Sequence, residues 1–400
     1  MRDDYDRLDD PRETPALREL LAQSFNWKPH YWERFTRAIR PEQVRVLRRE
    51  GELVAGLALY PFGQFLGGRS QPATGLAAVG VRPESRRQGA ALALLRGTLE
   101  ELRAQGVALS LLYASTSRLY RKAGYSEAGS SRTYCLPLTA LDGLNAEREL
   151  PLVRVDVHED LELPSAIRAV YAQAARQGAG LLDRSPMMWR RVLRTLDPDQ
   201  QVRAYVVGSL EHPRGYVVYT HAPGSSRHLY ELVIHDWFAL DGPAARRLWT
   251  FCADHRSLAS AVRWKGPPVD PLAALLPEPG LVELAGSMPW LLRVVDVGAA
   301  LSRRGYPSGV DAELQLRIDD WFLPENGGRW ILRVRDGQGE AVPGGEGELE
   351  LDVRALAPLI TGWLTPQQLA ATSRLSGPSR ALATATQLFA GPSPWMPDRF

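Results

Sequence analysis

The chain predicts a mixed α/β fold in which sheets carry helices on their faces, and three observations point there. Apolar runs of strand length recur between stretches rich in Ala, Leu, Arg and Glu, the alternation expected of packed αβ layers. A length of 400 residues exceeds one ordinary domain and fits two or three. The composition, 44% hydrophobic and 24% charged, is that of a globular protein with enough apolar content for several cores.

The first part opens with an amphipathic segment, Ala16 to Phe25, a loop at Asn26 to His30 and a second helix from Tyr31. Antiparallel strands follow at Val44 to Arg48, Leu53 to Tyr60 and Gln71 to Val81, with Glu50-Gly51 as the first turn. Pro83 ends the apolar run Leu76 to Val81. Next come Arg86, Arg87, Gln88 and Gly89, then Ala90, Ala91 and Leu92 leading a stretch of high helix propensity to Leu102. Gly89 therefore sits at a helix N-terminus, where unpaired N–H groups and the dipole form an anion site that a glycine leaves open to close approach. A solvated basic loop is the competing reading of the same residues.

Val107 to Tyr113 is another apolar strand, and Ser115 or Thr116 is placed to cap the short helix after it. Gly124 ends that helix, and Tyr125 to Leu138 returns to the sheet. Asp142 to Asn145 reads as a linker, placing a boundary near residue 148.

A second αβ succession starts with a strand at Val153 to Val157 and helices at Ala166 to Gln177 and Pro186 to Leu196. Strands at Arg203 to Ser209, Gly215 to His221 and His228 to Phe238 follow, then a helix from Ala244 to His255. It repeats the first part without the basic glycine turn. In the last hundred or so residues, Ala312 to Ile318 and Leu349 to Val353 alternate as half-buried strands, and Trp330 to Val334 makes a third. Thr365-Pro366 starts a helix with an N-cap and an N1 proline, and Leu382, Ala385, Leu388 and Phe389 mark the apolar face of another. Prolines then force an extended tail ending Trp395-Met396-Pro397-Asp398-Arg399-Phe400.

Net charge is +2, and no basic cluster reaches the density of a nucleic-acid footprint, so no nucleic-acid partner is expected. An acidic N-terminus without an apolar core and the lack of a membrane-length apolar run predict a cytoplasmic protein with no membrane association. Cys135 and Cys252 support neither a disulfide framework nor a thiolate metal site.

The order strand, basic glycine turn, helix, strand, short tyrosine-bearing helix, strand resembles the Gcn5-related N-acetyltransferase (GNAT) superfamily. That resemblance implies two splayed parallel strands with acetyl-CoA in the cleft as acyl donor. Its thioester carbonyl would accept a backbone N–H near Val79, Gly80 and Val81, its pyrophosphate would lie on Arg86 to Leu92, and Ser115 and Thr116 would flank it. Tyr120 matches the tyrosine that approaches the sulfur, whereas Tyr113, on a strand, and Tyr125, after the Gly124 turn, read as packing residues.

Taken with the three-part layout and the tail, the resemblance narrows to the enhanced intracellular survival (Eis) family of N-acetyltransferases. It implies tandem GNAT domains at 1–148 and 149–296, a sterol carrier-like domain at 297–400 and a homo-hexamer. It also implies that the carboxylate of Phe400 is general base and Tyr120 general acid, with no metal. An α-carboxylate of pKa about 3.3–3.7 is a weak base for an amine near 10.4, so a relay through water is expected, and the carboxylate also attracts a cationic amine. The acceptors implied are primary amines, aminoglycoside-like, polyamine or lysine. Arg399 stands where the best-known members have a glutamate, Asn26 near a position where they carry an aspartate, and Ala78 in place of a bulky aromatic. Fewer negative charges near the amine weaken selection for polycations.

No Gly-x-Ser-x-Gly, His-Glu-x-x-His or Cys-x-x-Cys occurs. His228 and His235 would point to opposite faces of one strand and make a poor metal pair, and Gly337 to Gly347 reads as a hairpin loop. A different class, a lipid or hydrophobic-ligand carrier with an inactive GNAT portion, predicts retained lipid and no turnover.

Overall fold

The computed structural model describes residues 3–157, 164–193, 201–224, 226 and 228–400. The chain forms two compact units, one of Met1–Gly129, Trp290–Gly391 and Arg399–Phe400, the other of Ser130–Pro289 and Pro392–Asp398.

The first unit is built on two sheets. In the larger, Asp3–Arg7, Val44–Arg49, Glu52–Leu66 and Arg69–Val81 run antiparallel in that order, Leu109–Leu112 joins Arg69–Val81 in parallel, and Leu291 to Val294 pair on its far side. Both hairpins turn on consecutive residues of positive φ, Glu50-Gly51 at 53° and 82° and Gly67-Gly68 at 59° and 83°, the geometry that matches strand twist. Helix Ala90–Ala104 lays Leu94, Leu95, Leu99 and Leu102 on one face of this sheet in a core completed by Leu57, Leu76, Leu112 and Tyr125. The smaller sheet runs Gln338–Pro343, Gly328–Arg335, Ala312–Asp319, Leu349–Asp352, Leu375–Ser376. Asp352 ends its strand by capping helix Val353–Thr361, accepting from the N–H of Arg354 and Ala355. Fully buried Arg293 donates to both oxygens of Asp320 at 2.8 and 2.6 Å, and Asn326 donates to the same carboxylate.

In the second unit a sheet is ordered from Ser130 to Pro137 of strand Ser126–Pro137 through Ala259–Gly266, Tyr230–Ala239, Pro213–Pro223 and Arg203–Gly208 to Leu152–Val155. Among these neighbouring strands, as described, Tyr230–Ala239 and Ala259–Gly266 pair in parallel and the others antiparallel. Helix Gly242–Ala253, capped by Asp241, packs Trp249 edge-on to Trp237 and Trp264.

Several sequence expectations need correction. Strands Asp3–Arg7, Ala259–Gly266 and Glu283–Val294 carry charged or small residues that mask their periodicity. Val353 begins a helix rather than ending a strand, and the glycine-rich stretch contains strand Gln338–Pro343. His228 lies in a turn, while His235 stays on its strand with Nε2 2.9 Å from the Thr220 hydroxyl. The helix from Pro186 runs to Leu193, and the expected extension to Leu196 falls outside the described residues.

A buried ion pair anchors the N-terminal strand through Tyr5. Arg45, 4% exposed in its side chain, is bonded to Glu101 at 2.6 and 2.7 Å, and the Tyr5 hydroxyl donates to the same carboxylate at 2.5 Å. Burial pushes the Glu101 carboxyl up, but the bonds from Arg45 and Tyr5 outweigh it and hold it below the usual value of 4.5. Because the folded pKa is the lower one, this stability is present above about pH 4.5 and is lost as pH falls through the folded value. Glu101→Gln is expected to cost about 2 kcal/mol at neutral pH and to flatten the acid limb of stability against pH in denaturant titrations.

Candidate active site

Strand Arg69–Val81 is interrupted where the cleft begins. Its pairing with Glu52–Leu66 slips between Gly56↔Gly80 and Ala58↔Ala77, so Ala78 and Val79 face the single residue Leu57. Ala78 takes the extra position with φ of 50°, a left-handed conformation that costs a non-glycine residue about 1–2 kcal/mol. Such a bulge bends its strand and frees backbone groups from the ladder. On the other edge, parallel pairing with Leu109–Leu112 runs only from Ala73↔Leu109 to Gly75↔Leu111. Beyond Gly75 these two strands have no further ladder among the described residues, so the edge of Leu76 to Val81 that faced Leu109–Leu112 is unpaired with it. Ala78, Val79 and Val81 are half-buried and Gly80 is buried.

The basic turn lies directly after this edge. Pro83–Ser85 form one 3-10 turn, Arg86 to Gly89 continue as an exposed turn, and helix Ala90–Ala104 starts. Gly89 has φ of 82°, and a Cβ there would meet nothing within 4 Å, so the space before the helix N-terminus is open and its backbone needs glycine. Arg87 is also left-handed, at 63°. Arg86 donates to Val81 O at 3.3 Å, Gln88 to Glu84 O at 2.8 Å, and Arg49 to Gln88 O at 3.1 Å. Ala90 is buried, and Ala91 and Leu92 are half-buried. The turn that the sequence marks as a candidate anion site is thus open and exposed.

Helix Ser117–Lys122 carries Tyr120 inward, 7% exposed, edge-on to Tyr125 at 5.9 Å. Burial pushes the Tyr120 phenol up to about 12, which keeps it protonated and available as a donor at neutral pH. Tyr125 is a packing residue, its hydroxyl 2.7 Å from Ser110 Oγ. Thr116 holds the N-cap position, but neither it nor the exposed Ser115 makes a side-chain cap bond, so the expected capping role fails and the first N–H groups of the helix are left for other acceptors.

The Phe400 ring sits against Phe62, Tyr113 and Tyr60 at centroid distances of 5.1, 5.6 and 6.0 Å. Its edge lies over Gly75, where a Cβ would fall 2.5 Å from two ring carbons. The terminal residue is thus docked at the point where the strands part. Tyr113 belongs to this aromatic socket rather than to the core. Asn26 is an exposed left-handed C-cap, φ 52°, donating its N–H to Ala22 O, and Arg399 is exposed. Sequence reasoning missed Tyr60, Phe62 and Gly75; the available signal was two aromatics on one strand face opposite a glycine, Tyr60 being the Cα partner of Gly75. Gly75→Ala is expected to expel the terminal ring, costing about 1–3 kcal/mol of overpacking. Turnover should fall at least tenfold while the protein stays folded by thermal melting.

In the second unit the tail is fastened separately. Trp395 donates its N–H to Ala179 O, Lys265 donates to Pro397 O, and Met396 is buried. Buried Arg184 donates to Asp398 at 2.8 and 3.2 Å and to Asp236 at 2.6 and 3.1 Å. Tyr216 donates to Asp236, and the guanidinium also stacks on Tyr171 and Trp189.

Known proteins repeat this organisation. Residues 7–128 and 180–294 each match an acetyltransferase (GNAT) domain family, and residues 297–397 match the sterol carrier protein domain family. An uncharacterized N-acetyltransferase of Streptomyces coelicolor is 30% identical over 355 residues, covering 84% of this chain and 82% of that one. The crystal structure of a GCN5-related N-acetyltransferase from Anabaena variabilis superposes with a TM-score of 0.92 at 40% identity, covering 100% of both chains. Eis1 from Mycobacterium abscessus does so with a TM-score of 0.81 at 26% identity, again over 100% of both chains.

Proposed function

Because the chain belongs to the Eis-like family of GCN5-related N-acetyltransferases, we propose that it moves the acetyl group of acetyl-CoA directly onto a primary amine in the cleft of its first unit. Acetyl transfer itself is the activity of the family. The observation that carries the finer reading is the docking of Phe400 over Gly75, where the strands part, with the anion turn at one end of the free edge.

In this reading the pyrophosphate lies on Arg86 to Ala91 and the thioester carbonyl against the main chain of Val79 to Val81, whose N–H groups stabilise the oxyanion. The Phe400 carboxylate draws the cationic amine and passes its proton to water. The neutral amine attacks the carbonyl carbon, the nitrogen gives its second proton to water held by the Phe400 carboxylate, the tetrahedral intermediate collapses by breaking the C–S bond, and the Tyr120 phenol hydrogen-bonds the departing thiolate. A phenol near 12 does not give its proton away completely to a thiolate, whose ordinary range is near 8.5, so it acts as a donor that strengthens as charge develops on sulfur. Tyr113, Tyr60 and Phe62 line the socket, and the acceptor meets Ala78, Asn26 and Arg399, a rim less acidic than that of a polycation site. Aminoglycosides, polyamines and lysine peptides are the acceptors to compare, and the same reading includes a homo-hexamer. A thiol-release assay with acetyl-CoA and these three amine classes tests it. Amine-dependent release, lost when Phe400 is deleted, is expected; no release with any amine, or release indifferent to Phe400, overturns it.

A further inference from the structure

Helix Ser117–Lys122 is too short to hold itself in place. It has six residues, of which Tyr120 alone is buried, whereas isolated helices below about 12–15 residues are marginal in water. The direction of the Tyr120 phenol is therefore fixed from outside the helix, and the groups that fix it come from much later in the chain.

At the C-terminal end of this helix the carbonyls of Tyr120 and Arg121 are taken within the turn itself, the first by the N–H groups of Ala123 and Tyr125 and the second by that of Gly124. The next carbonyl, Lys122 O, accepts the indole N–H of Trp321 at 2.9 Å, across 199 residues of sequence. Trp321 is 41% exposed, so no core keeps its ring there. Arg354 instead lies 4.7 Å from the ring centre, and the backbone on both sides of Trp321 is fixed. Asp320 accepts the N–H groups of Phe322 and Leu323 at 3.1 and 3.0 Å, and Phe322 O accepts from Arg96 at 2.6 Å.

The Asp320 carboxylate reaches the helix by a second path. Its partner Arg293 lies against Gly124, where a Cβ would fall 2.9 Å from the guanidinium Cζ and Nε and 3.0 Å from Val353 Cγ1. Gly124, with φ of 85°, follows the C-cap of the helix. The next residue, Tyr125, is the one that meets the Tyr120 ring edge-on, and its hydroxyl is 2.7 Å from Ser110 Oγ, Ser110 being the Cα partner of Arg293. All of these residues belong to the first unit, and Asp320, Trp321, Phe322 and Val353 fall in the stretch that matches the sterol carrier protein domain family.

We propose that the sterol carrier-like domain acts on the reaction through this helix: Trp321, backed by Asp320 and Arg293, is a positioning residue that holds Tyr120 where its phenol meets the departing sulfur. It rests on the reading that Tyr120 is the donor to that sulfur.

Trp321→Phe keeps an aromatic face for Arg354 and removes the indole N–H. Thiol release from acetyl-CoA, with the most reactive of the three amine classes, should show kcat lowered about tenfold, as expected when a reacting group is slightly misplaced, with donor KM and melting midpoint unchanged. The decisive readout is a double-mutant cycle: in a Tyr120→Phe background the same substitution should cost nothing further, because the hydroxyl it positions is gone. A merely structural tryptophan would lower kcat by the same factor in both backgrounds. That result, or a kcat within about twofold of wild type in the single variant, overturns the positioning role while leaving the donor reading intact. Full activity in Tyr120→Phe overturns both.

Discussion

Arg184→Met should lose about 3–5 kcal/mol of stability in equilibrium denaturation. The guanidinium is completely buried between two buried carboxylates. Burial pushes Arg184 down, but Asp236 and Asp398 outweigh it and hold the group charged, whereas burial pushes the Asp398 carboxyl up. Removing the cation leaves two buried carboxylates, 214 and 52 residues from position 184 in sequence, without the charge that bridges them. Set against a total of about 5–15 kcal/mol for a typical domain, this is a large share. The loss should be recovered in part when Asp236 and Asp398 are changed to asparagine as well, because the penalty lies in the stranded charges and not in missing volume. A midpoint shift below about 1 kcal/mol in the single variant would mean that water enters the cluster.

Tyr120→Phe should behave in the opposite way, abolishing function and sparing the fold. Loss of a positioned proton donor typically costs 10²- to 10⁴-fold in rate, and the deficit should appear in kcat, with the donor KM within a few-fold of wild type. Burial alone raises the phenol, so replacing its hydroxyl strands no hydrogen-bond partner among the described residues, and stability should change by less than about 0.5 kcal/mol. Steady-state thiol release and thermal melting measured side by side check both halves. A kcat within threefold of wild type would falsify the donor assignment, whatever happens to the other residues of the cleft.

What could be read beforehand was local. The Arg86 to Gly89 turn is encoded by adjacent residues, and a strand ended by proline before a helix-forming run leaves little choice about where the glycine falls. The same holds for Glu50-Gly51, for the Thr365 cap, whose capping box with Gln368 is present, and for Gly124. The N-terminal strand was hidden because Asp3 to Arg7 present charge to solvent while pairing through the backbone with Val44–Arg49; edge strands do this regularly. The bulge at Ala78 was also hidden, since alanine carries no mark of positive φ. Arg184, in a short polar stretch between Asp183 and Ser185, reads as a solvated side chain until the fold brings distant acids to it. The family resemblance supplied Phe400; its socket of Tyr60, Phe62 and Tyr113 depends on strand register that no local pattern fixes.

The clamp around Arg184 also bears on how the chain is made. Arg184 and Asp236 emerge from the ribosome long before Asp398, and domains generally fold as units during synthesis, at roughly 5–20 residues per second. The second unit comprises Ser130–Pro289 together with Pro392–Asp398, so its nascent form must wait through a hundred intervening residues with its central arginine only half neutralised. Completion is therefore a late docking step, and a nascent chain arrested before residue 398 should remain open to proteases in this unit even after every strand of its sheet has been produced.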